Sequence, residues 1–244
     1  MATADGLSRL NALGNIPRTH PTVPPKDSSS LIILDRSTKI PKVLLGRRHA
    51  GHAFMPGKFV FPGGRVEKAD RHMPSATELH PKAAAKLMQG ASAGAARALA
   101  LAAVRETFEE TGLMLGLKRA LPASAKPSGP WPAFVAAGIC PDLASLHFIA
   151  RAVTPPGLSR RFDTRFFAVD ARAIAHRIDG IVGPQAELVE LLWVPINETQ
   201  SLGLHAITAT ILDDLQVRAA AGLSHSLPVP YYLMKNRRFL RELL

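Results

Sequence analysis

The segment Arg105-Glu106-Thr107-Phe108-Glu109-Glu110-Thr111-Gly112-Leu113 constrains this chain more than any other. Residues Ala95 to Thr111 are rich in good helix formers, and Gly112 is a natural stop because glycine accepts the left-handed conformation that ends a helix. Leu101, Val104 and Phe108 mark the expected buried side. On such a helix Glu106, Glu109 and Glu110 stand at i, i+3 and i+4, so all three carboxylates are expected on one face. Like charges at that spacing repel by roughly 0.2–0.5 kcal/mol per pair, so folding gives no reason to gather them. A hard divalent cation reverses the sign, because Mg²⁺ takes oxygen ligands and tolerates a carboxylate cluster.

Upstream, Phe59-Val60-Phe61-Pro62-Gly63-Gly64 is a short apolar run that stops at a glycine pair. It reads as a strand feeding a tight turn. Strand, Gly-Gly turn and Arg-Glu-x-x-Glu-Glu-x-Gly helix, in that order, resemble the Nudix box of the Nudix hydrolases. That box reads Gly, five residues, Glu, seven residues, then Arg-Glu, an apolar residue, any residue, Glu-Glu, any residue, Gly and an apolar residue. The C-terminal half matches closely, with Thr107 where an aliphatic residue is usual. The N-terminal half is stretched: Asp70 falls at the first Glu counted from Gly64, and Arg97 falls there counted back from Arg105. An insertion at about 71–94 is therefore expected inside the box.

A finer resemblance runs from Leu44-Leu45 through Arg48 and Gly57 to Phe61-Pro62-Gly63-Gly64, which has the spacing of the coenzyme A diphosphatase motif of this superfamily. That motif has Thr, Ser and a second Arg where this chain has Gly46, His49 and Ala53. The insertion and Arg161-Phe162-Asp163-Thr164-Arg165-Phe166-Phe167 look more like the moiety X motif 19 type, which includes peroxisomal coenzyme A diphosphatases.

Composition narrows the alternatives. At 244 residues, 47% hydrophobic, the chain suffices for one large domain. The single cysteine, Cys140, excludes an internal disulfide and fits a reducing compartment. No apolar stretch approaches the roughly 18 residues of a membrane span, and the N-terminus lacks a secretory pattern. A cytoplasmic protein without membrane association is expected. The formal charge of +11 is spread in small clusters, with aromatics at only 6%. That suits steering of an anionic phosphate substrate rather than specific nucleic-acid binding.

Along the chain, residues 1–29 are polar and carry four prolines, so a loose arm is expected, followed by one domain over 30–244. Strands are expected at Ser30–Asp35, Val43–Arg48, Phe59–Phe61, Ala144–Val153, Phe162–Val169 and Glu187–Val194. Helices are expected from Pro81, inside the insertion, and over His205–Ala221. Pro122–Pro132 reads as a loop. The order suits α/β, and the resemblance implies the Nudix α/β/α sandwich with a mixed central sheet and a helical insertion.

The resemblance also implies the chemistry. Nudix hydrolases cleave a diphosphate linked to some other moiety, here most directly coenzyme A or an acyl ester of it. ADP-ribose, a nucleotide sugar or a dinucleotide is the alternative, and a catalytically silent ligand-binding module is the alternative class. Glu106 and Glu110 are the expected metal ligands, Glu109 a third, and the Gly64 carbonyl a backbone ligand, for Mg²⁺ or Mn²⁺. Arg105, four residues before Glu109, reads as support for a carboxylate. Arg48, with Gly63 and Gly64, is expected at the substrate. Glu187 and Glu190 are candidates for the general base. Asp70 either supports the metal site or lies on the inserted loop, and Arg161 and Arg165 either bind phosphate or face solvent. His147, His176 and His205 have no spacing that ties them to the site. Many Nudix proteins dimerise, so a homodimer belongs among the expected states.

Overall fold

The computed structural model describes residues 4–13, 20–51, 55–122 and 125–244. Its elements begin with α1 (Ala4–Leu13), β1 (Lys26–Asp35), β2 (Lys42–Arg48), β3 (Phe59–Val60) and β4 (Gly63–Arg65). A 3₁₀ turn at Ala69–Arg71 leads to α2 (Pro81–Leu87), α3 (Ala93–Thr111), β5 (Leu113–Leu115), β6 (Leu117–Lys118), α4 (Pro132–Ala136) and β7 (Ile139–Cys140). The second half comprises β8 (His147–Val153), β9 (Phe162–Asp170), β10 (Ile174–Arg177), β11 (Leu188–Pro195), α5 (Ala206–Ala220), β12 (Pro230–Lys235) and β13 (Arg238–Leu243).

β1 explains the layering. From Leu31 to Leu34 it is apolar at every position and fully buried. A strand sends alternate side chains to opposite faces, so a continuous apolar run needs cover on both sides. Leu31 and Ile33 face a core built from α3 with Trp131, Phe134, Phe148 and Phe167. Ile32 and Leu34 face a second core built from α5 with Leu10, Phe166 and Tyr232. Burying each such side chain contributes about 1.5–3 kcal/mol. The large sheet runs β11-β2-β1-β9-β8-β12-β13, with β3 on β2 and β4 on β1. β1 pairs antiparallel with β2 and β4 but parallel with β9, and β12 pairs parallel with β8, so the sheet is mixed as expected.

α3 starts where the Ser92 hydroxyl accepts from the Ala95 N–H at 3.2 Å and ends at Gly112, whose φ of +76° is the left-handed C-cap. A Cβ at Gly112 would also overlap the Ile178 carbonyl. The helix is buried well beyond its Leu101–Val104–Phe108 side, because Ala96, Ala98, Ala100 and Ala103 allow close packing on other faces.

Several expectations change. The 1–29 arm carries α1, whose Leu10 is buried; Arg9 bonds Asp213 on α5 at 3.0 Å, and β1 begins at Lys26, not Ser30. Residues 1–3 and 14–19 of that arm, Ala53 of the coenzyme A-type motif and 123–124 of the 122–132 loop lie outside the described residues. The glycine pair is no tight turn. Gly63 and Gly64 are extended in β4, opposite Ser30 and Ser29. The C-terminal hairpin of β12 and β13 was not expected from the sequence; its two-residue loop puts Asn236 and Arg237 at φ +51° and +64°. A hairpin whose tip lacks glycine gives little sequence signal.

The 71–94 segment packs on α3 and the loop after α5. Ala83 and Leu87 join the α3 core. Lys86 Nζ donates to the His225 carbonyl at 2.7 Å, and Lys82 Nζ bonds Ser226 at 2.7 Å. Arg97 bonds Glu78 at 3.2 Å and Ser75 at 2.8 Å. Three imidazoles stack between these elements: His80 on His225 at 4.0 Å, and His225 on His147 at 4.2 Å.

Burial, then the neighbouring His147, His80, Lys86 and Arg218, lowers His225 from 6.5 to about 4, and burial lowers His147 as well. A folded-state pKa below the unfolded value means that the folded state binds fewer protons, so stability is present above the unfolded pKa and is lost as pH falls. The melting temperature is expected to drop from about pH 6.5 toward about pH 4. His225→Phe, which keeps a stacking ring without a titrating group, should flatten that slope; an unchanged slope would place the sensitivity elsewhere.

Candidate active site

The end of α3, β4 and the start of β1 surround a cavity of about 400 Å³ whose lining includes Glu106, Glu110, Gly63, Gly64, Arg48, Glu187 and Ser29. Phe61, Phe162 and Phe166, with Ser28, Thr164 and Arg160, form much of the rest.

Glu106 and Glu110 are one helical turn apart and share this cavity, as their spacing requires. Glu109 does not line it. Its carboxylate accepts from Arg105 at 2.5 Å, and its side chain is 40% exposed. All three glutamates were expected on one face; the structure puts two in the cavity and turns the third aside, because a guanidinium four residues earlier captures it. Among the described residues no group of three or more His, Cys, Asp or Glu side chains is arranged to hold a metal ion. Glu106 too is drawn toward Arg105, at 2.9 Å.

Arg105 is buried, with 2% of its side chain exposed. Its Nε donates to Asp70 at 2.8 Å, and one terminal nitrogen donates to Asp70 at 3.2 Å and to the Arg65 carbonyl at 2.7 Å. Burial by itself would lower the Arg105 pKa; the Asp70 hydrogen bond and the charges of Glu106 and Asp70 outweigh burial and raise it. Asp70 is fully buried and also accepts the Glu67 N–H at 2.8 Å. Of the two expectations for Asp70, supporting the site is the one this geometry matches. It occupies the Glu position counted from Gly64, whereas Arg97, at the position counted back from Arg105, holds the 71–94 segment instead.

The two cavity glutamates are poorly compensated. Burial pushes Glu106 up to about 7, against the pull of Arg105 and with Glu109 adding to the rise. Burial, then the charge of Glu187, pushes Glu110 well above the usual carboxylate range, although Arg48 and the Gly63 N–H oppose this. Glycine at 64 has a steric reason as well: a Cβ there would overlap the Glu106 carboxylate. The two carboxylates offer oxygen donors in a cavity short of positive charge, a chemistry that fits a hard divalent ion.

Arg48 lies between two acids, donating to Glu187 at 2.8 Å and standing 3.8 Å from Glu110. Glu187 and Glu190, equal candidates by sequence, separate here. Glu187 lines the cavity, while Glu190 pairs with Arg47 at 2.8 Å on the exposed side of β2 and β11. A register shift between Leu188 and Glu190 accompanies the change of side. Arg165 does not face solvent and does not line the cavity. It is buried against Asp27 at 2.7 Å and Asp163 at 3.2 Å. Arg161 bonds the carbonyls of Thr154 at 3.0 Å and Val23 at 2.6 Å. None of His147, His176 and His205 lines the cavity.

No protein-family model matches the chain. Among solved structures, that of a Nudix hydrolase from Alicyclobacillus acidocaldarius is similar over 84% of this chain and 97% of its own, with 28% identity and a TM-score of 0.58. The chain has the fold of the Nudix hydrolases. Weaker likenesses, on which nothing further rests, are the Nudix hydrolase RenU from M. Smegmatis and the Nudix domain of Shewanella oneidensis NrtR. RenU shows 18% identity over 80% of this chain and 86% of its own, with a TM-score of 0.43. NrtR shows 12% identity over 86% and 97%, with a TM-score of 0.44. Within this Nudix fold, the sequence singled out Arg48, Gly63, Gly64, Glu106 and Glu110, and all of them meet at the cavity. It overlooked Ser28, Ser29, Thr164 and Arg160; the one hint was a polar Ser-Ser-Ser start to an otherwise apolar strand.

Asp70→Ala would leave the buried Arg105 charge without its main partner. Breaking one side of such a pair costs roughly 3–5 kcal/mol, so denaturant unfolding should show a loss of that order. A loss below about 1 kcal/mol would mean that water or another acid replaces Asp70.

Proposed function

We propose that this Nudix hydrolase is a divalent-metal-dependent diphosphatase acting on a nucleoside diphosphate-linked small molecule, with coenzyme A or acyl-CoA as the leading substrate. The observation that carries this reading is the pair Glu106 and Glu110, one helical turn apart, lining the same cavity as Gly64 and Arg48. Glu106, Glu110 and the Gly64 carbonyl would hold Mg²⁺ or Mn²⁺. Glu109 joins only by leaving Arg105, and it then acts through water or as a third ligand. A bound divalent ion supplies charge neutralisation on the phosphates and lowers the pKa of coordinated water.

The chain's own groups do the rest. Arg105, fixed by Asp70, anchors the turn that carries the carboxylates. Arg48 offers its guanidinium to a phosphate, in the fork geometry that suits it. Glu187 lies within the same cavity and accepts a proton from an attacking water, and its hydrogen bond from Arg48 holds its carboxylate in place. The attacked phosphorus then gains one oxygen and the other phosphate leaves with the bridging one. The coenzyme A preference is supported by the Leu44–Gly64 spacing and by the place of Arg48 in the cavity. The departure at Gly46 has a local cause, since a side chain there would collide with Leu188. Among the described residues no helix is long and apolar enough to cross a membrane.

Coenzyme A, ADP-ribose, NADH and nucleotide sugars, each incubated with Mg²⁺ or Mn²⁺, test the substrate by product analysis. The expected products from coenzyme A are 3′,5′-ADP and 4′-phosphopantetheine. Turnover of another diphosphate alone would remove coenzyme A and keep the enzyme; no turnover of any would favour a silent binding module. Glu110→Gln should lower kcat by at least about 100-fold, in keeping with the several kcal/mol that metal-held charge stabilisation supplies. As for the base, Glu187→Gln is expected to lower kcat about 100-fold or more, the usual range for a general base, whereas Glu190→Gln should stay near wild type. The reverse order would exchange their roles.

A further inference from the structure

Ser29 stands out among the groups around the cavity that the mechanism does not use. It is fully buried, lines the cavity, and its hydroxyl has no hydrogen-bond partner. A buried polar group without a partner costs roughly 1–3 kcal/mol, so such groups are rare and ask for a reason. Its neighbour shows the contrast. The Ser28 hydroxyl, on the other face of β1, is satisfied by Thr164 at 2.7 Å.

Strand geometry says where the Ser29 hydroxyl points. Side chains alternate along β1, so Ser29 shares its face with Leu31 and Ile33, which pack in the α3 core. Ser29 is also the direct cross-strand partner of Gly64 on β4. Opposed residues of an antiparallel pair project to the same side, with Cβ positions about 4.5–5.5 Å apart. The space a Cβ of Gly64 would fill is taken by the Glu106 carboxylate. The Ser29 side chain is therefore on the side of β1 and β4 that carries the Glu106 carboxylate, and its hydroxyl does not bond to it.

We propose that Ser29 is a positioning residue for the metal-bearing face of the site: its hydroxyl donates to the Glu106 carboxylate, or to a water bound beside it, once that carboxylate leaves Arg105 to take up a divalent ion. This inference rests on the metal-site reading above. Glu106 lies against Arg105 at 2.9 Å, and the Ser29 hydroxyl has no partner. Swinging Glu106 toward the ion gives Ser29 its partner, and a hydroxyl directed at one carboxylate oxygen leaves the other free for the metal. Hydrogen bonds from outside the ligand set orient ligands in this way, and their loss typically costs 10–100-fold in metal affinity.

The test compares wild type, Ser29→Ala and Ser29→Thr by Mn²⁺ titration and by melting temperature with and without the ion. Ser29→Ala should bind Mn²⁺ about 10–100-fold more weakly, while its metal-free melting temperature equals or exceeds that of wild type, because an unsatisfied buried hydroxyl has been removed. Ser29→Thr, which keeps the hydroxyl, should restore affinity to within a few-fold. Equal Mn²⁺ affinity in wild type and Ser29→Ala would overturn the role of Ser29 and keep the metal site. A lowered metal-free melting temperature in Ser29→Ala would also overturn it, by showing that the hydroxyl already serves the metal-free fold. Wild type that binds no Mn²⁺ would overturn the metal site together with the inference.

Discussion

A guanidinium that is 98% withdrawn from water must be neutralised where it stands, and Arg105 is neutralised from four directions. Asp70 grips it with both oxygens, the Arg65 carbonyl accepts from it, and Glu106 and Glu109 lie against it. These partners belong to the 3₁₀ turn, to β4 and to α3. A single side chain thus fastens the acidic helix to the strand that carries Gly63 and Gly64. This junction, together with the apolar core under α3 and the Gly63 N–H that donates to Glu110, keeps the last turn of α3 beside β4.

The same ion pair sets the electrostatic state of the site. Asp70 takes two of the hydrogen bonds of Arg105, so Glu106 and Glu109 share a guanidinium that already has a buried partner. Glu110, beyond its reach, depends on Arg48, which is itself divided between Glu110 and Glu187. The carboxylates of the cavity are consequently underpaid in positive charge, as the upward shifts of Glu106 and Glu110 record. An ion pair between exposed groups is worth at most about 1 kcal/mol, but here burial magnifies both attraction and repulsion. The divalent cation proposed above would offset that imbalance.

Local periodicity made much of this readable in advance. The Gly112 cap and most of the span of α3, the apolar runs of β1 and β2, and the turn of carboxylates all follow from propensities and from the repeats of 3.6 and 2.0 residues; the Ser92 cap and the start at Ala93 do not. α1 and the β12–β13 hairpin were harder to read. α1 is short and nearly neutral in composition, and its hold comes from contacts with α5 that no local pattern announces. At Gly63 and Gly64 the expected tight turn is an extended strand, and glycine is needed there for the close approach of the Ser29 carbonyl and of Glu106.

The sequence by itself determined that this chain would bury strands on both faces and carry three carboxylates at helical spacing behind a Phe-Pro-Gly-Gly run, because those features depend on neighbours within a few residues. Only the tertiary structure decided that Glu109 turns away, that Asp70 rather than another acid grips Arg105, that Glu187 enters the cavity while Glu190 leaves it, and that the Ser29 hydroxyl has no partner. Asp70 and Arg105 are 35 residues apart, and Arg48 and Glu187 are 139 apart. At such separations the outcome is set by which side chains share a buried space and how their charges balance there, and spacing along the chain does not encode that.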